Sequence, residues 1–310
     1  MRERMMIVNP IATTMMDPKV KKDVEELLSD TKMSKGEKIW KLYLMGLTTS
    51  DIAYYVNEKK YCMTFGVEIE CFVKKEDILS WARIGGVNVQ YQYYNHDDSF
   101  PCWKFVPDGS VRERDGSRTN AIECVSPVLS FNTGFEALKD CCTMLEFSSA
   151  KVNKSCGLHV HIGMDGLSDK AFVGVFKNYQ FLEDLIDSFM PPSRRGNNNT
   201  FAESIKGVCF DNCDCPEDVM DVLDSRYYKV NPWSRERHGT IEFRQHSGTV
   251  EYQKISAWVR FCAGLVSWSK DNLFTARVCS LDDVPFINEE DRLYFKSRIE
   301  LFARQSRAVA

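Results

Sequence analysis

Period-two alternation of apolar and polar residues recurs in short segments along the chain, which reads as half-buried strands. Successive side chains of a strand point to opposite faces. In Phe65-Gly66-Val67-Glu68-Ile69-Glu70-Cys71 this puts Glu68 and Glu70 on one face, with Phe65, Val67, Ile69 and Cys71 on the other. Ala121-Ile122-Glu123-Cys124-Val125 sets Glu123 opposite Ile122 and Cys124. Gly157-Leu158-His159-Val160-His161-Ile162-Gly163 sets both histidines opposite Leu158, Val160 and Ile162. Thr240-Ile241-Glu242-Phe243-Arg244-Gln245-His246 is expected to show Glu242, Arg244 and His246 on one face and Ile241, Phe243 and Gln245 on the other. The run VNVQYQYY, residues 87–94, also alternates.

Between these segments the apolar spacing changes to the helical period. It predicts helices at about Gly134–Phe147, Asp169–Ser188, Glu217–Leu223, Glu251–Ser269 and Glu289–Arg304. Strand groups interleaved with long helices, without regular βαβ spacing, indicate an α+β fold with an antiparallel sheet. The stretch PPSRRGNNNT combines Pro, Gly and an Asn run and reads as a loop.

Residues 1–60 differ in kind. Helical patterns at Pro18–Leu28, Lys35–Met45 and Ser50–Lys59, with Asp17, Ser34 and Thr49 or Ser50 as N-caps and Gly46 as a stop, predict a small helical region ahead of a larger α+β domain at 61–310. The second and third patterns resemble the first two helices of a helix-turn-helix, but a strand follows where a recognition helix is needed. The region holds 11 Lys+Arg and 9 Asp+Glu, a net of +2, too little to compel nucleic-acid binding. A structural cap or partner-docking module is the expectation, with nucleic acid as the weaker alternative.

Composition narrows the class. The 310 residues, 44% hydrophobic and 27% charged, suit one large globular domain with a small appendage. A net charge of -4 argues against a broad electrostatic grip on nucleic acid or anionic membrane, so any anionic ligand is held locally. No stretch approaches the ~20 apolar residues that span a bilayer, and the N-terminal MRERMMIVNP lacks a secretory apolar run. The 12 cysteines lie among β-branched and aromatic neighbours and read as reduced thiols of a cytoplasmic protein. Cys209, Cys213 and Cys215 are a candidate zinc group that lacks a second pair at finger spacing.

Acids, imidazoles and an arginine thus recur on the polar sides of four strands. A pair of carboxylates two apart is also what the wet face of a strand looks like. Several gathered on one face repel unless a cation sits among them, and carboxylate oxygens are what Mg²⁺ prefers. A Zn²⁺ or Fe²⁺ site built on His159, His161 and a Glu is the softer alternative. The His-x-His spacing is shared with cupins, yet the following Ile-Gly-Met-Asp-Gly lacks the Glu that a cupin would place there.

The ordered set GVEIE, Asp108-Gly109-Ser110, Glu123 in ECVSP, GLHVHIG, RYYKVN and TIEFRQHSGT resembles the amidoligase family related to glutamine synthetase and glutamate–cysteine ligase, over roughly residues 61–265. GLHVH is similar to the GMHxH of glutamine synthetase, and TIEFR to its IEVR. The resemblance implies a glutamine-synthetase-like curved antiparallel sheet packed with helices. It implies an ATP-dependent ligase joining a small-molecule or peptide carboxylate to an amine, with two or three Mg²⁺ ions, or Mn²⁺ in their place. Glu68, His159 and Glu242 would hold the metal at the nucleotide phosphates, Glu70 and Glu123 a second metal near the reacting carboxylate, and Asp108 would be a further ligand. His161 would lie near the nucleotide and Arg244 at the transferring phosphoryl group. Arg226, Asn231, Arg235 and Arg237 fall where the family places other phosphate- and substrate-binding groups. Arg244, Glu70 and Glu123 are then the catalytic candidates. A guanidino-kinase-like phosphotransferase and a non-catalytic metal- or nucleotide-binding module are the alternatives.

Chemistry gives reasons for these types. Amide formation in water is uphill, so the carboxylate is first activated as an acyl phosphate, which cations stabilise and water must not reach. Pro191–Asn199 is the expected mobile cover, with Arg194 and Arg195 reaching phosphate or carboxylate. Tyr91, Tyr93, Tyr94 and Trp103 are the aromatic candidates for sandwiching an adenine or shaping the acceptor site.

Overall fold

In a computed structural model that describes residues 18–30, 32–45, 63–92, 102–113, 116–131 and 134–309, the alternating segments become neighbours in one sheet. Its strands are β1 (Thr64–Phe72), β2 (Val89–Tyr91), β3 (Trp103–Pro107), β4 (Ala121–Val125), β5 (Leu129–Ser130), β6 (Gly157–Gly163), β7 (Val230–Asn231) and β8 (Thr240–Ser247). They run in the order β2-β3-β4-β1-β6-β8-β7, with β5 also paired to β1. The four segments with charged faces, β4, β1, β6 and β8, are consecutive at its centre.

The fold is α+β, as the interleaving of patterns predicts, around a curved sheet that does not close. The sheet is mixed rather than antiparallel: β2 runs parallel to β3, while the other pairs are antiparallel. A parallel pair cannot be joined by a tight hairpin, and residues 92–102 separate the two strands in sequence.

The apolar face of the strands carries the core. Phe65, Val67 and Ile69 of β1, Leu158, Val160 and Ile162 of β6, and Ile241 and Phe243 of β8 are all buried. They pack against helices α4 (Gly134–Phe147), α5 (Asp169–Phe189) and α8 (Tyr252–Trp268), whose buried stripes include Leu138, Phe176, Tyr179, Trp258 and Phe261. The last helix, α9 (Glu289–Val309), adds Phe295, whose ring lies 4.5 Å from that of Phe189. Each such ring fully removed from water is worth about 1.5–3 kcal/mol. Among the described residues no helix is long and apolar enough to cross a membrane.

Helices α1 (Pro18–Ser29) and α2 (Lys35–Leu44) form within the N-terminal region. Ser34 and Glu37 make a reciprocal capping box at the start of α2: Ser34 N–H donates to Glu37 Oε2 (2.8 Å) and Glu37 N–H to Ser34 Oγ (3.3 Å). The third predicted helix, Ser50–Lys59, lies outside the described residues. Helix α3 (Lys75–Gly85) escapes the pattern because only Ile78 and Ala82 are buried on it, and it ends on Gly86 in the left-handed conformation (φ 68°). The short helices α6 (Pro216–Val222) and α7 (Ser234–His238) complete the α-helices among the described residues.

One register detail changes the expected faces. Leu158 pairs with His246 but Val160 with Phe243, so His159 faces two residues of β8, Arg244 and Gln245. This bulge reverses the alternation beyond it. His246, expected beside Glu242 and Arg244, turns instead into the core, 2% exposed and 5.8 Å from the Trp258 ring. Burial pushes its pKa down to about 3, leaving a neutral imidazole paired with the Ser247 carbonyl oxygen.

Candidate active site

The pairing of strands assembles the site before any side chain reaches out. Residues directly opposite in an antiparallel pair share a face. The register sets Glu70 against Glu123, Glu68 against His159, and His161 against Glu242. Three cross-strand pairs on four adjacent strands thereby collect four carboxylates and two imidazoles.

The contacts are short. His159 Nδ1 lies 2.9 Å from Glu68 Oε2 and 3.5 Å from Glu242 Oε1, and its Nε2 lies 3.7 Å from Glu70 Oε1. His161 Nε2 lies 3.4 Å from Glu68 Oε1 and 4.0 Å from Glu242 Oε1. His161 Nδ1 is fixed by Thr240 Oγ1 at 2.9 Å, while Nε2 is buried without a hydrogen-bond partner. Arg244 donates from Nη1 to Glu242 Oε1 (2.5 Å), and Asn231 donates to Glu242 Oε2 (2.5 Å). Gly157 N–H donates to Glu70 Oε2 (2.5 Å). A Cβ on Gly157 would meet His159 Nε2 at 3.1 Å, Glu70 Oε2 at 3.4 Å and Arg194 Nη1 at 3.5 Å. Of the three, His159 would have to give by a few tenths of an ångström, while the other two would be in ordinary contact.

Charge in the cluster is uneven. Burial works to raise the Glu68 carboxyl, but the hydrogen bond with His159 and the nearby His161 imidazole outweigh it and hold its pKa well below the usual value. Glu242 is likewise lowered, with Arg244, His161 and His159 overcoming burial. Burial lowers the His161 imidazole, yet the Glu68 carboxylate 3.4 Å away, followed by Glu242, leaves it raised. Glu123 has no such relief. Burial and then the carboxylates of Glu68, Glu70, Asp108 and Glu242 push it well above the carboxylate range, so without a cation it keeps its proton.

These groups line a cavity of about 600 Å³. Asp108 lines it too, from the turn after β3, where its Oδ1 accepts from Ser110 N–H and Oγ–H at 2.7 Å each. Two trios bring one ligand atom each within 4.8 Å of one another: Glu68–His161–Glu242 and Glu68–Glu123–His159. His159 Nδ1 is itself within 3.5 Å of both Glu68 and Glu242, so the trio that the family resemblance implies is gathered too. Cys209, Cys213 and Cys215 form no such group among the described residues; Cys209 is exposed and Cys213 buried.

The arginines divide. Arg194, Arg226, Arg237 and Arg244 line the cavity, whereas Arg195 and Arg235 do not. Arg195 donates to the Met190 carbonyl oxygen (2.8 Å) and lies over the Phe302 ring, and Arg235 pairs with Glu217 at 2.7 Å. Nor is Pro191–Asn199 built as a loose cover. Residues Pro192–Arg194 form a 3₁₀ turn, Gly196 N–H donates to Asp187 Oδ2 (2.9 Å), and Arg194 is 4% exposed and donates to the Cys156 carbonyl oxygen (2.5 Å). Two of the aromatic candidates fall elsewhere as well. Trp103 is buried in the core and Tyr91 sits beside Lys75, while Tyr93 and Tyr94 lie outside the described residues. The aromatic rings at the cavity belong to Phe201, Tyr227 and Trp233.

Residues 62–266, two thirds of the chain, match the family described as "Putative amidoligase enzyme". The chain belongs to the amidoligase family. No curated protein matches it. The matched span runs from the start of β1 into α8 and contains every cavity-lining group named above. Family membership makes the chain a ligase-type enzyme, so the carboxylate-rich cavity is its candidate active site.

A support beneath the cavity has no counterpart in the alternation. Lys229 of the RYYKVN segment is fully buried between Glu183 Oε1 (2.7 Å) and Asp187 Oδ1 (2.6 Å). Asp187 Oδ1 also accepts from Gln245 Nε2 (2.6 Å), which reaches the Arg194 carbonyl oxygen at 3.2 Å. The Lys229 carbonyl oxygen accepts from Arg244 N–H (2.8 Å). One buried cluster therefore braces the backbones that carry Arg194 and Arg244. Its only sequence signal was a lysine inside an otherwise strand-like run.

Proposed function

We propose that the chain is an ATP- and Mg²⁺-dependent carboxylate–amine ligase that works through an acyl phosphate. The observation that carries this reading is the meeting of Glu68, Glu70, Glu123 and Glu242 with His159, His161 and Arg244 in one cavity. That donor set fits a hard divalent ion, with Mn²⁺ tolerated by the imidazoles. The orphaned His161 Nε2 supports the fit: with Nδ1 held by Thr240, Nε2 is aimed at the space beside Glu68 and Glu242. Glu68, His161 and Glu242 would hold one ion and Glu68, Glu123 and His159 another, with Glu70 and Asp108 beside them. Bound there, Mg²⁺ supplies the charge that offsets the triphosphate and the transferring phosphoryl oxygens.

The chain's own groups account for the rest. Arg244, steadied by Glu242 and by the Phe201 carbonyl oxygen (3.2 Å), presents its guanidinium to the phosphoryl group in transfer. Arg194, buried beside Glu70, offers a second cation for an oxyanion of the acyl donor. The amine arrives as an ammonium and must lose a proton before it attacks the acyl phosphate; Glu70 and Asp108 face the cavity and are the groups to take it.

An ADP-release screen with amino acids, polyamines and peptides tests the reading, with mass spectrometry for a new amide formed in step with ADP and phosphate. Glu70→Gln and His159→Ala should each lower the rate by about 100-fold. Parent-like rates in both would sink the assignment, and a phosphorylated acceptor with no amide would identify a phosphotransferase instead.

A further inference from the structure

We infer that Phe201 and Tyr227 form a stacking platform for the purine base of the nucleotide, at the Arg244 end of the cavity; this rests on the nucleotide-dependent reading above. Phe201 is 50% exposed although it lines a cavity of charged groups. Its ring meets that of Tyr227 edge to face, with centroids 5.5 Å apart and planes at 76°. The half-exposed Phe201 ring is the surface open to an incoming aromatic, and Tyr227 buttresses it from the side.

The platform is held in place by backbone bonds rather than left to side-chain drift. Glu203 N–H donates to the Tyr227 carbonyl oxygen (2.7 Å), and Lys229 N–H donates back to that of Glu203 (2.9 Å). Asn199 Oδ1 accepts from Phe201 N–H (2.8 Å), fixing the entry to the segment. Lys229 in turn is locked by Glu183 and Asp187. Two stretches far apart in sequence are thus zipped so that the rings of residues 201 and 227 touch.

The ligand class follows from what leads up to the platform. Arg244 bonds Glu242 of the candidate metal cluster, and its guanidinium carbon lies 5.8 Å from the Tyr227 ring centroid. The Arg226 guanidinium lies 5.2 Å from the same ring. The cavity wall therefore grades from carboxylates, through two arginines, to π surface. A molecule with a metal-binding polyanionic tail and a flat aromatic head matches that order. Stacking reads aromatic area and not the base edge, so adenine and guanine nucleotides should bind alike and pyrimidine nucleotides less well.

The test separates base from tail. Full-length parent, Phe201→Ala, Phe201→Trp and Trp233→Ala chains are titrated with a non-hydrolysable ATP analogue, and in parallel with tripolyphosphate, each with Mg²⁺. Phe201→Ala should weaken the analogue by about tenfold and leave tripolyphosphate unchanged, while Phe201→Trp restores the analogue. A half-exposed ring can be truncated without opening the core, and melting curves verify this. Parent-like analogue affinity in Phe201→Ala, or an equal loss for tripolyphosphate, would overturn the platform. So would a Trp233→Ala loss larger than that of Phe201→Ala, which would put the base on the α7 side. A parent chain that binds tripolyphosphate and the analogue equally refutes the base site alone, whereas one that binds neither refutes the nucleotide reading along with it.

Discussion

The two faces of β1, β4, β6 and β8 are made from alternate residues of the same strands and are held together in opposite ways. On the core face, Val67, Val160 and Phe243 are stabilised by being removed from water, and neighbours need only fill space. On the cavity face, Glu68, Glu123, His159 and Glu242 are mostly buried yet crowded with like charge, so each depends on the particular partner opposite it. The first face tolerates exchange of one apolar side chain for another of similar volume. The second has little such latitude, because its cost is set by charge and hydrogen bonding.

Breaking the comparison from the core side should give the largest effect on stability. Phe176 is fully buried, with rings of Phe172 at 5.1 Å and Phe210 at 6.3 Å. Phe176→Ala should cost about 3–5 kcal/mol in urea unfolding. Lys229→Met comes close behind at roughly 3 kcal/mol or a little more, because it takes the cation from between the buried carboxylates of Glu183 and Asp187. Unlike the Phe176 change, it should also impair ADP release, through the backbones of Arg194 and Arg244. A Lys229→Met chain with parent stability would refute the bracing role.

The cavity face predicts a pH effect of the opposite sense to core packing. The Glu123 carboxyl is raised in the folded chain, so it disfavours folding once pH exceeds the unfolded carboxyl value of about 4.3. Without metal, the Glu123 contribution is therefore lost progressively as pH rises through the folded pKa, and Glu123→Gln should flatten that decline. Glu68 and Glu242, both lowered, work the other way and lose stability as pH falls. Added Mg²⁺ should raise the melting temperature more at higher pH, since it takes the place of the Glu123 proton. A Mg²⁺ effect independent of pH would remove Glu123 from the ligand set. The smallest effect belongs to Arg235→Ala, which removes an exposed pair with Glu217 outside the cavity. ADP release and the unfolding midpoint should both match the parent.

Much of this was legible in the chain itself. Alternation placed Glu68, Glu70, Glu123, His159, His161 and Glu242 on their faces, since side-chain direction in a strand is a local property. The bounds of α4, α5, α8 and the start of α9 follow the apolar period closely. His246 was misplaced because a bulge depends on which residue of the neighbouring strand is opposite, and that is not local information. The arginines could not be sorted either. Nothing in PPSRRGNNNT says that Arg194 turns inward to the Cys156 carbonyl while Arg195 turns outward over Phe302.

The sequence by itself determined the strand faces, the helices behind them and the kinds of side chain available for chemistry, because local periodicity and residue type suffice for these. Only the tertiary structure decided which carboxylate meets which imidazole, which arginines reach the cavity, and that Phe201 meets Tyr227. Those outcomes depend on strand order, register and buried bridges such as Lys229 with Glu183 and Asp187, which join residues more than forty positions apart.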